Sequence, residues 1–519
     1  MKNILRCIIF CFLFVFFSTK IVLSQTHTSP FEPPEKSDTI FVVDDSSGLD
    51  TGCTFRSGGP LVFEIEVSRF VGAINSNGTL QDPDTLTENG IISETATLTL
   101  PVFDVDYDIS DRPSLIELGV NPERDVIKFN GVEIKRAGTT EAFLIGKNNT
   151  WILNEFEVPI EIIKFPEKAS LGNTTAPAKN IITIEIDQEN IGNYIPEFGT
   201  SEFWCTAVDW AALSFQAMPP IVLIHGNSSN GEFWVRRGFT QILNEEKIPY
   251  DNTINLPTTT VVSNGATLKN VILAVARTMG VQNIQIIAHS KGGLDAREFL
   301  ASYYSTLEKN KELKIHTFIT LSTPHKGSVG ADYIRAVQLT SEFKLENENE
   351  RTDLAEFLSD GYTQDEFNAN YNLTTSWVRQ FNNQNCLPIN IKYYSVGADA
   401  DINNNGSLER NEYEEMLDEA EVPGWKRPFA NGKMNTMYSA IGGFSSVTVR
   451  DTGNTTFFGT PIWEMVETPT ITFLENDMMV TVGSAKYSFN FIIQFSKNHA
   501  SVADQEVARE VKKRLIYAR

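Results

Sequence analysis

The sequence predicts an α/β protein in two parts, in which a β-rich domain of the sandwich or jelly-roll kind precedes a mostly parallel sheet flanked by helices. Three observations predict this arrangement. The chain has 519 residues, which is too long for one ordinary domain. Residues from about 40 to 212 alternate apolar and polar side chains without a long helical period. After about 213, near-continuous apolar runs alternate with helical patterns, as βα units do.

Four runs in the N-terminal half have the alternation of half-buried strands. They are LVFEIEV (61–67), TATLTL (95–100), WILNEFEVPIEI (151–162) and IITIEI (181–186). Turn signals such as Asn130-Gly131 separate runs of this kind. We therefore predict an all-β domain over 25–212.

The first residues have the pattern of an export signal. Lys2 and Arg6 precede an apolar stretch at about 7–17, and a small-residue cleavage pattern ends at Ser24. We predict a signal peptide (1–24) and hence a protein that is secreted, whether extracellular, at the cell surface or periplasmic. An uncleaved membrane anchor is the alternative, although a lysine interrupts the apolar run.

Three cysteines remain after removal of that peptide, namely Cys53, Cys205 and Cys386. An exported protein can form disulfides, and an odd number leaves at least one thiol unpaired within the monomer. Cys53 and Cys205 stand at the two ends of the predicted β domain. A bridge between them and a pair of small buried hydrophobic side chains both fit the sequence.

The C-terminal half reads as a parallel sheet with helices between its strands. The predicted strands are PPIVLIHG (219–226), NIQIIA (283–288), KIHTFITLSTPH (314–325) and INIKYYSVGAD (389–399). A helix over 266–280 carries apolar residues at helical spacing and stops at Gly280. We predict a second domain over 213–519.

A serine follows the second of these strands in the segment AHSKGG (288–293). A serine hydroxyl attacks a carbonyl only when a base removes its proton, and a sharp strand-to-helix turn exposes it for that purpose. Such a turn needs small residues two positions before and after the serine, which Ala288 and Gly292 provide. Ser290 is therefore the predicted nucleophile, with an ordinary turn serine as the alternative.

Stabilisation of the attacked carbonyl oxygen requires backbone amides near the serine. The His225-Gly226 pair ends the first strand of this half, where a second donor should lie. The predicted oxyanion hole consists of the N–H groups of Asn227 and Lys291. The side chain of Lys291 is expected to be solvated.

The chain contains six histidines, and in this kind of fold the base follows both the serine and the acid. The two most N-terminal histidines precede the serine, and His289 adjoins it. His316 opens a strand at the opposite end of the sheet, and His325 comes before the expected acid. His499, in SKNHAS before a predicted C-terminal helix (501–516), is the remaining candidate, with a surface histidine as the alternative.

The acid that orients this histidine should lie in a loop at the carboxyl ends of the strands. Asp477 in LENDMMV (474–480) follows an apolar run, and Asp399 ends its own strand at SVGAD. Position along the chain leaves both open, with Asp477 preferred.

These residues resemble the secreted bacterial triacylglycerol lipases of the Pseudomonas and Burkholderia kind, within the α/β-hydrolase superfamily. The likeness covers about 219–510 and is carried by IVLIHG, AHSKGG, STPHKGS (322–328), END with an apolar pair (475–479) and NHASVADQ (498–505). It implies the α/β-hydrolase fold. In that family an Asn-Asp element carries the acid and an Asn-His element the base, which implies Asp477 rather than Asp399, together with His499.

The resemblance also implies a mobile helical lid after the STPH strand. Residues 331–385 have the length and amphipathic character for one, with Trp377 and Phe381 as lid or core residues. The family's aspartate shortly after the catalytic histidine, a calcium ligand there, is Ser501 here, which departs from that metal site.

A separate pattern, DINNNGSLERNE at 401–412, matches an EF-hand calcium loop. The oxygen ligands predicted at positions 1, 3, 5, 7, 9 and 12 are Asp401, Asn403, Asn405, the Ser407 carbonyl, Glu409 and bidentate Glu412. Gly406 occupies the turn position, and a strand instead of a helix precedes the loop. We predict a single structural Ca²⁺ site, with an acidic Asn/Gly-rich loop as the alternative.

Composition limits the function further. The formal charge of −23 opposes binding to nucleic acid, because phosphates require a basic patch. We expect a serine ester hydrolase that uses no organic cofactor, acts on a lipid or other ester and contacts a lipid surface peripherally. The alternatives are a polyester depolymerase, an esterase acting on an acyl chain of a glycosylphosphatidylinositol anchor, and a surface adhesion protein with an inactive hydrolase half. Oligomeric state is not predicted.

Overall fold

The computed structural model describes residues 28–517 apart from 46–48, 50–51, 69–82, 167–175, 342–363, 420–421, 423, 425, 456–458, 460 and 488. The predicted signal peptide lies outside the described residues. Two compact units make up the chain. The first comprises 1–71, 93–169 and 174–216, and the second comprises 72–92, 170–173 and 217–519. In the part that the structure describes, no helix combines the length and apolarity needed to cross a bilayer.

The first unit is built from antiparallel strands. Its described strands are β1 (Ile40–Val43), β2 (Thr54–Phe55), β3 (Leu61–Val67), β4 (Thr95–Phe103), β5 (Val126–Phe129), β6 (Val132–Glu133), β7 (Lys135–Arg136), β8 (Trp151–Pro159), β9 (Ala178–Glu185), β10 (Cys205–Val208) and β11 (Ala211–Ser214). One sheet has the order β1-β11-β4-β10-β2, with β8 pairing β4 and β7 pairing β8, and the other has the order β3-β9-β5-β6. Pro113–Glu117 forms a short helix, and Arg56–Gly58, Ile160–Ile162 and Gln188–Asn190 form 3-10 turns.

Strand β3 shows why this sequence forms a sheet with one buried face. Every second side chain from Leu61 to Val67 is buried and the intervening ones are exposed, which is the two-residue period of a strand. The predicted turn Asn130-Gly131 joins β5 and β6, and both of its residues have positive φ, as a two-residue hairpin turn of type I′ requires. The sandwich or jelly-roll arrangement of the sheets stays a prediction.

A pair of carboxyl groups is buried within the first unit. Glu123 and Asp125 are fully buried, and the hydroxyl of Thr206 contacts both of them. Burial raises the pKa of Asp125 to about 6 and raises that of Glu123 well above its usual value, with the neighbouring carboxyl group adding to the latter shift. At least one of the two therefore holds a proton more readily than an exposed carboxyl group does.

Cys53 and Cys205 form a disulfide, which decides the alternative that the sequence left open. The two residues are 152 positions apart. Cys205 begins β10, and Cys53 directly precedes β2, which pairs with β10. Cys386 is an exposed free cysteine.

The second unit contains a parallel sheet. Its described strands are β12 (Ile221–Ile224), β13 (Tyr250–Asp251), β14 (Asn283–His289), β15 (Lys314–Leu321), β16 (Lys392–Asp399), β17 (Phe444–Thr455), β18 (Pro461–Pro469) and β19 (Asn490–Ser496). The order β13-β12-β14-β15-β16-β19 is parallel throughout, whereas β17 and β18 form a separate antiparallel hairpin. Its helices are Pro83–Glu88, Glu232–Arg236, Phe239–Glu245, Val261–Met279, Lys291–Phe299, Ser305–Lys309, Val329–Ser341, Gln364–Tyr371, Thr375–Gln384, Arg410–Glu419, Ala430–Gly443, Val482–Lys486 and Gln505–Lys512. A π-helical turn spans Leu300–Tyr304, and 3-10 turns span Arg427–Phe429 and Ser501–Ala503.

Helix Val261–Met279 shows how local signals set an element and how the core forms. The side chain of Thr260 accepts from the N–H of Ser263, so the helix begins five residues before the predicted start at 266. It ends at Gly280, whose φ of 72° closes the last turn. Its buried face packs with β12, β14 and β15 in one apolar cluster. The C-terminal helix is also shorter than the predicted 501–516, because Asp504 caps a helix that begins at Gln505.

Parallel pairing brings the carboxyl ends of β12, β14, β15 and β16 to one edge of the sheet. The loop of Asn227 follows β12, the turn of Ser290 follows β14, and the loop of Asp401 follows β16. The turns that carry the predicted site residues therefore meet at this edge.

Candidate active site

Ser290 occupies a strained turn between β14 and the helix Lys291–Phe299. Its φ is 52° and its ψ is −131°, a combination that costs a non-glycine residue energy and persists only when the surroundings hold it. The Ser290 N–H donates to the carbonyl of Leu321 at 2.9 Å, which fixes the turn. A Cβ atom at Gly292 would lie 2.1 Å from the carbonyl oxygen of His225. The small residue that the motif requires there is thus explained by a backbone contact.

Three predicted residues form a continuous chain of hydrogen bonds. The Nε2 atom of His499 lies 2.8 Å from Oγ of Ser290, and its Nδ1 atom lies 2.9 Å from Oδ2 of Asp477. All three side chains are buried. If Nδ1 carries the proton, Nε2 is free to accept the proton of the serine hydroxyl.

Backbone amides determine which oxygen of Asp477 faces the histidine. Oδ1 accepts from the N–H groups of Met479 at 3.0 Å and Val480 at 2.7 Å, so Oδ2 is left for His499. The N–H of His499 also donates to the carbonyl of Asp477 at 2.8 Å. The two loops are therefore held together by backbone as well as by side chains.

Asp399, the rival acid, lies elsewhere. Its Oδ1 atom accepts from the Tyr438 hydroxyl at 2.9 Å and from the Asn476 N–H at 3.4 Å, and it does not contact His499. Burial raises its pKa.

The two amides predicted for the oxyanion hole flank the serine. A Cβ atom at Gly226 would lie 3.4 Å from Oγ of Ser290, which places the loop that leads into Asn227 against the nucleophile. Lys291 begins the helix that follows the serine, so its N–H group points out of the first turn without an intrahelical acceptor. Their service as oxyanion donors stays a prediction.

The expectation of a solvated Lys291 side chain is wrong. It is buried, and its ammonium group lies 2.8 Å and 3.0 Å from the two carboxylate oxygens of Asp295, which is also buried. Asn264 donates a further hydrogen bond to Asp295 at 3.0 Å. The spacing of four residues between the lysine and the aspartate on one helix was the available signal.

His289 has a positioning contact that the sequence did not indicate. Its Nε2 atom lies 2.8 Å from the carbonyl oxygen of His499, and its ring stacks on Phe233 with 4.5 Å between centroids. Burial, and then the nearby His499, lower its pKa well below the usual value. A neutral ring with its proton on Nε2 can donate to that carbonyl and hold the His499 loop.

The other buried histidines do not reach the serine hydroxyl. His225 accepts the N–H of Leu256 at Nε2. His325 lies between the Thr320 hydroxyl at 2.9 Å and the guanidinium of Arg297 at 3.3 Å. Both have structural contacts that account for their burial.

Only the flanks of the predicted lid segment are described. They are helices Val329–Ser341, Gln364–Tyr371 and Thr375–Gln384, whereas 342–363 lie outside the described residues. Phe381 is buried in a cluster with Val261 and Leu294, and Trp377 stacks on it at 5.0 Å. These two aromatic side chains belong to the core at that place, and a lid function stays a prediction.

The predicted calcium loop follows β16 directly. Asp401 is buried, and its carboxylate accepts from the N–H groups of Asn405 at 3.1 Å and Gly406 at 2.6 Å. Gly406 has a φ of 81°, which a residue with a side chain rarely adopts. Glu412 is 2 % exposed, and its carboxylate accepts from the N–H groups of Ile402 at 2.8 Å and Glu409 at 2.7 Å. The carboxylates of the first and last predicted ligands are thus each held by two backbone N–H groups of the loop.

The remaining predicted ligands lie on the outer side of the loop. Asn403 and Asn405 both donate side-chain hydrogen bonds to Glu409, at 2.9 Å and 3.2 Å, and Ser407 is exposed. No lysine, arginine or histidine of the described residues pairs with Asp401 or Glu412. Two buried carboxylates without a cationic partner are costly, and backbone N–H groups of the loop offset part of that cost here. Binding of a cation by this loop stays a prediction.

The side chain of Asn435 anchors the centre of the loop. The side-chain amide of Asn435 accepts from the N–H of Leu408 at 2.6 Å and donates to its carbonyl at 2.9 Å. Leu408 itself is buried in an apolar cluster that includes Tyr413, Met437 and Met478. The centre of the loop is thus anchored within the same unit.

Comparison with known proteins identifies relatives of parts of the chain. Residues 220–347, about a quarter of the chain, match a family model described as "Putative serine esterase (DUF676)". Triacylglycerol lipase 2 of Saccharomyces cerevisiae is 32% identical over 116 residues, which are 22% of this chain and 29% of that lipase. The chain therefore spans less than a third of that lipase's length.

Solved structures of lipases and esterases align with the chain at low TM-scores. The mature lipase BlEst2 of Bacillus licheniformis has a TM-score of 0.35 at 18% identity, covering 58% of this chain and 93% of its own. A metagenomic carboxyl esterase, MGS0156, has a TM-score of 0.31 at 16% identity, covering 57% and 76%. Scores this low add no argument, and the assignment of an α/β-hydrolase fold rests on the parallel sheet and the turn of Ser290. Part of the second unit thus matches a serine esterase model, and 116 residues of the chain are similar in sequence to a triacylglycerol lipase.

Proposed function

We propose that this protein is a secreted serine ester hydrolase, similar to the secreted bacterial triacylglycerol lipases, that cleaves acyl esters through an acyl-enzyme. The observation that carries the proposal is the continuous chain of hydrogen bonds from Ser290 through His499 to Asp477. A hydroxyl, an imidazole and a buried carboxylate in this order are what acyl transfer from an ester to water requires.

The proposed reaction begins when Oγ of Ser290 attacks the ester carbonyl and its proton passes to Nε2 of His499. The imidazolium that forms is stabilised by the carboxylate of Asp477. The carbonyl oxygen becomes an oxyanion, for which the N–H groups of Asn227 and Lys291 are the proposed donors. His499 then gives the proton to the departing alcohol. Water attacks the acyl-enzyme with the same base, and Ser290 is regenerated.

The proposed substrate is a lipid ester. The relative matched in sequence is a triacylglycerol lipase, and the matching family model is described as a serine esterase, which supports an acyl ester in preference to an amide or a phosphate ester. A polyester or an inositol-linked acyl chain would use the same three residues. A surface adhesion protein has no need of the complete hydrogen-bond chain, which counts against that alternative.

The test is hydrolysis of p-nitrophenyl esters of increasing acyl length by the purified chain. We expect turnover, and we expect Ser290→Ala to lower kcat at least about 10⁴-fold while the fold is retained. Ser302→Ala is the matched control, because Ser302 is exposed and, among the described residues, its hydroxyl donates to Glu298 alone; this variant should leave turnover unchanged. Persistent activity in Ser290→Ala, or no activity in the parent chain on any ester, would overturn the proposal.

We further propose that loop 401–412 binds one Ca²⁺. Asp401, Asn403, Asn405, Glu409, Glu412 and the carbonyl of Ser407 would hold it. When bound, the ion supplies charge that compensates the two buried carboxylates at the ends of the loop, and it takes no part in the proposed proton transfers. Export of the mature chain, proposed from the N-terminal sequence, would expose this loop to extracellular calcium.

A further inference from the structure

Asp104 lies against the disulfide that joins Cys53 and Cys205 in the first unit. Its Oδ2 atom is 3.9 Å from the sulfur of Cys53 and 3.8 Å from the sulfur of Cys205. We propose that this carboxylate protects the disulfide from reduction by thiols, because its negative charge opposes the thiolates that attack and leave the sulfurs. The proposal concerns the first unit alone and does not depend on the proposed ester hydrolysis.

Backbone contacts hold the carboxylate in this place. Asp104 directly follows β4 and has a φ of 63°, a left-handed conformation in which aspartate and asparagine are enriched among residues with a side chain. Its N–H donates to the carbonyl of Thr150 at 3.3 Å, and its Oδ1 atom accepts from the N–H of Asn149. Oδ1 is thus occupied by backbone, and Oδ2 is the oxygen that faces the two sulfurs.

The disulfide can be reached from solvent and ties an edge of the sheet. Cys53 is exposed, whereas Cys205 and Asp104 are half-buried. A dissolved thiolate can therefore approach the sulfur of Cys53, close to the carboxylate. Strand β2 lies at the edge of its sheet beside β10. Reduction would remove the covalent bond between the chain at this edge and β10.

A nearby cation does not neutralise this carboxylate. Burial raises the pKa of Asp104, and the N–H of Asn149 and the charge of Arg112 oppose this shift. The guanidinium of Arg112 lies 2.8 Å from a carboxylate oxygen of Asp106 and over the ring of Trp204, so its positive charge is shared with a second carboxylate. Asp104 therefore keeps a negative charge beside the sulfurs at pH values far above 3.8, its ordinary pKa.

Reduction of the disulfide passes through two thiol exchanges. A thiolate attacks the sulfur of Cys53 and forms a new S–S bond, the bond to Cys205 breaks, and Cys205 leaves as a thiolate that takes up the proton given to solvent by the attacking thiol. A second thiolate attacks the mixed disulfide and releases Cys53 in the same way, so two small thiols are oxidised to a disulfide while the protein gains two thiol groups.

Each of these exchanges brings a thiolate to the sulfurs or leaves one there, beside Asp104. In bulk water two unit charges about 4 Å apart repel each other enough to slow a step about sixfold, and a half-buried site screens them less. The same repulsion raises the pKa of the departing thiol, which makes it a poorer leaving group. Removal of the carboxylate should therefore speed reduction.

Asp104→Asn is the decisive variant. Asparagine adopts a positive φ readily and its side-chain oxygen can still accept from the N–H of Asn149, so the turn is kept while the charge is removed. Asp104→Gly is a second variant, because glycine also suits this φ and removes the carboxyl group altogether. Asp111→Asn is the matched control, since it removes the same charge from an exposed aspartate of the same unit that does not belong to the group at the sulfurs.

The full-length variants are reduced at about pH 8 by three thiols that differ in charge, namely mercaptoacetate (anionic), 2-mercaptoethanol (neutral) and cysteamine (cationic). Samples are quenched by alkylation, and mass spectrometry separates opening of the disulfide from the thiol of Cys386, which is free at the start. Rate constants are expressed per thiolate and divided by those for a small neutral disulfide, so that the intrinsic reactivity of each thiol cancels. The series is run at about 0.02 M and about 0.5 M salt, and thermal unfolding verifies the fold.

At low salt we expect 2-mercaptoethanol to reduce Asp104→Asn and Asp104→Gly at least about fivefold faster than the parent chain, and Asp111→Asn within about twofold of it. The parent chain should discriminate against mercaptoacetate and favour cysteamine, and both variants at position 104 should narrow that spread. High salt should shrink all of these differences.

Three results would overturn the proposal. They are equal rates in the parent chain and both variants at position 104, an equal acceleration in Asp111→Asn, and an acceleration that is the same for all three thiols at both salt concentrations. The last result would mean that the substitutions act by loosening the turn and not by removing a charge.

Discussion

Replacing Asp477 by Asn tests the orientation of the base more sharply than removing the side chain. The N–H groups of Met479 and Val480 both need an acceptor, so the carboxamide oxygen must take the place of Oδ1. The amide nitrogen then faces Nδ1 of His499, and a donor meets a donor. The imidazole responds by moving its proton to Nε2, where it blocks transfer from Ser290.

The expected loss in kcat follows from the free energy needed to avoid the contact of two donors between the amide and Nδ1 of His499. Turning the amide so that its oxygen faces His499 leaves the buried N–H of Val480 and the half-buried N–H of Met479 without an acceptor, at about 1–3 kcal/mol each. The active tautomer is therefore disfavoured by about 2–6 kcal/mol, which lowers kcat by roughly 30-fold to 10⁴-fold.

The assay is hydrolysis of p-nitrophenyl butyrate, with circular dichroism and thermal unfolding to verify the fold. Asp399→Asn is measured beside it, because its amide oxygen can still accept from Tyr438 and we expect kcat to fall less than about tenfold. If Asp477→Asn keeps more than a tenth of kcat, or if Asp399→Asn is the more damaging change, the assignment of the acid is refuted.

Three further predictions concern stability. Lys291→Met should lower the free energy of unfolding by about 3–5 kcal/mol in urea, since Asp295 is left buried without its cation, and adding Asp295→Leu should restore much of it; a loss below about 1 kcal/mol contradicts this. Replacing Cys53 and Cys205 by serine opens a loop of 152 residues and should cost about 5 kcal/mol on the loop-entropy scale, read as a lower Tm that reduction of the parent reproduces. Because burial raises the pKa of Asp125 from 3.8 to about 6, the folded chain retains a proton that the unfolded chain releases, and this stability is lost as pH rises through about 6. The transition of this unit should lie at higher temperature at about pH 5 than at about pH 7.5, and Asp125→Asn should flatten the difference; a Tm that rises over that interval counts against it.

Local patterns were sufficient for the nucleophile turn and for most strands of the second unit. The turn of Ser290 is encoded within six residues, because small side chains at fixed offsets are demanded by nearby backbone. Strands β12, β14 and β15 are apolar on both faces, which a short window reveals. Asp477 was preferred because it follows an apolar run, and the Asn-Asp element of the lipase resemblance favoured it over Asp399; the 2.9 Å contact with His499 agrees with that preference.

Contacts between distant parts of the chain could not be derived in the same way. The disulfide joins residues 152 positions apart, and no local rule chooses between pairing and burial of two cysteines. Lys291 was assigned to the surface because lysines usually lie there, whereas its aspartate lies one helical turn further on in a helix that is buried on all sides. The bonds of Asn498 to Glu412 and Glu415 depend on how the helix Arg410–Glu419 packs, which the pattern of residues 401–412 does not specify.

The bridge that Asn435 makes to Leu408 has a consequence for how such a loop responds to metal concentration. When two metal-binding loops are bonded to each other, binding at one loop can favour binding at the other. Their occupancy can then rise steeply over a narrow range of metal concentration. Leu408 of loop 401–412 is bonded to the side chain of Asn435 and not to a second loop of this kind, so no such coupling is expected. Its titration should follow a simple hyperbola with a Hill coefficient of about one. If loop 401–412 binds Ca²⁺ as proposed, its occupancy should rise gradually with calcium concentration, without the threshold of a sensor with two coupled loops.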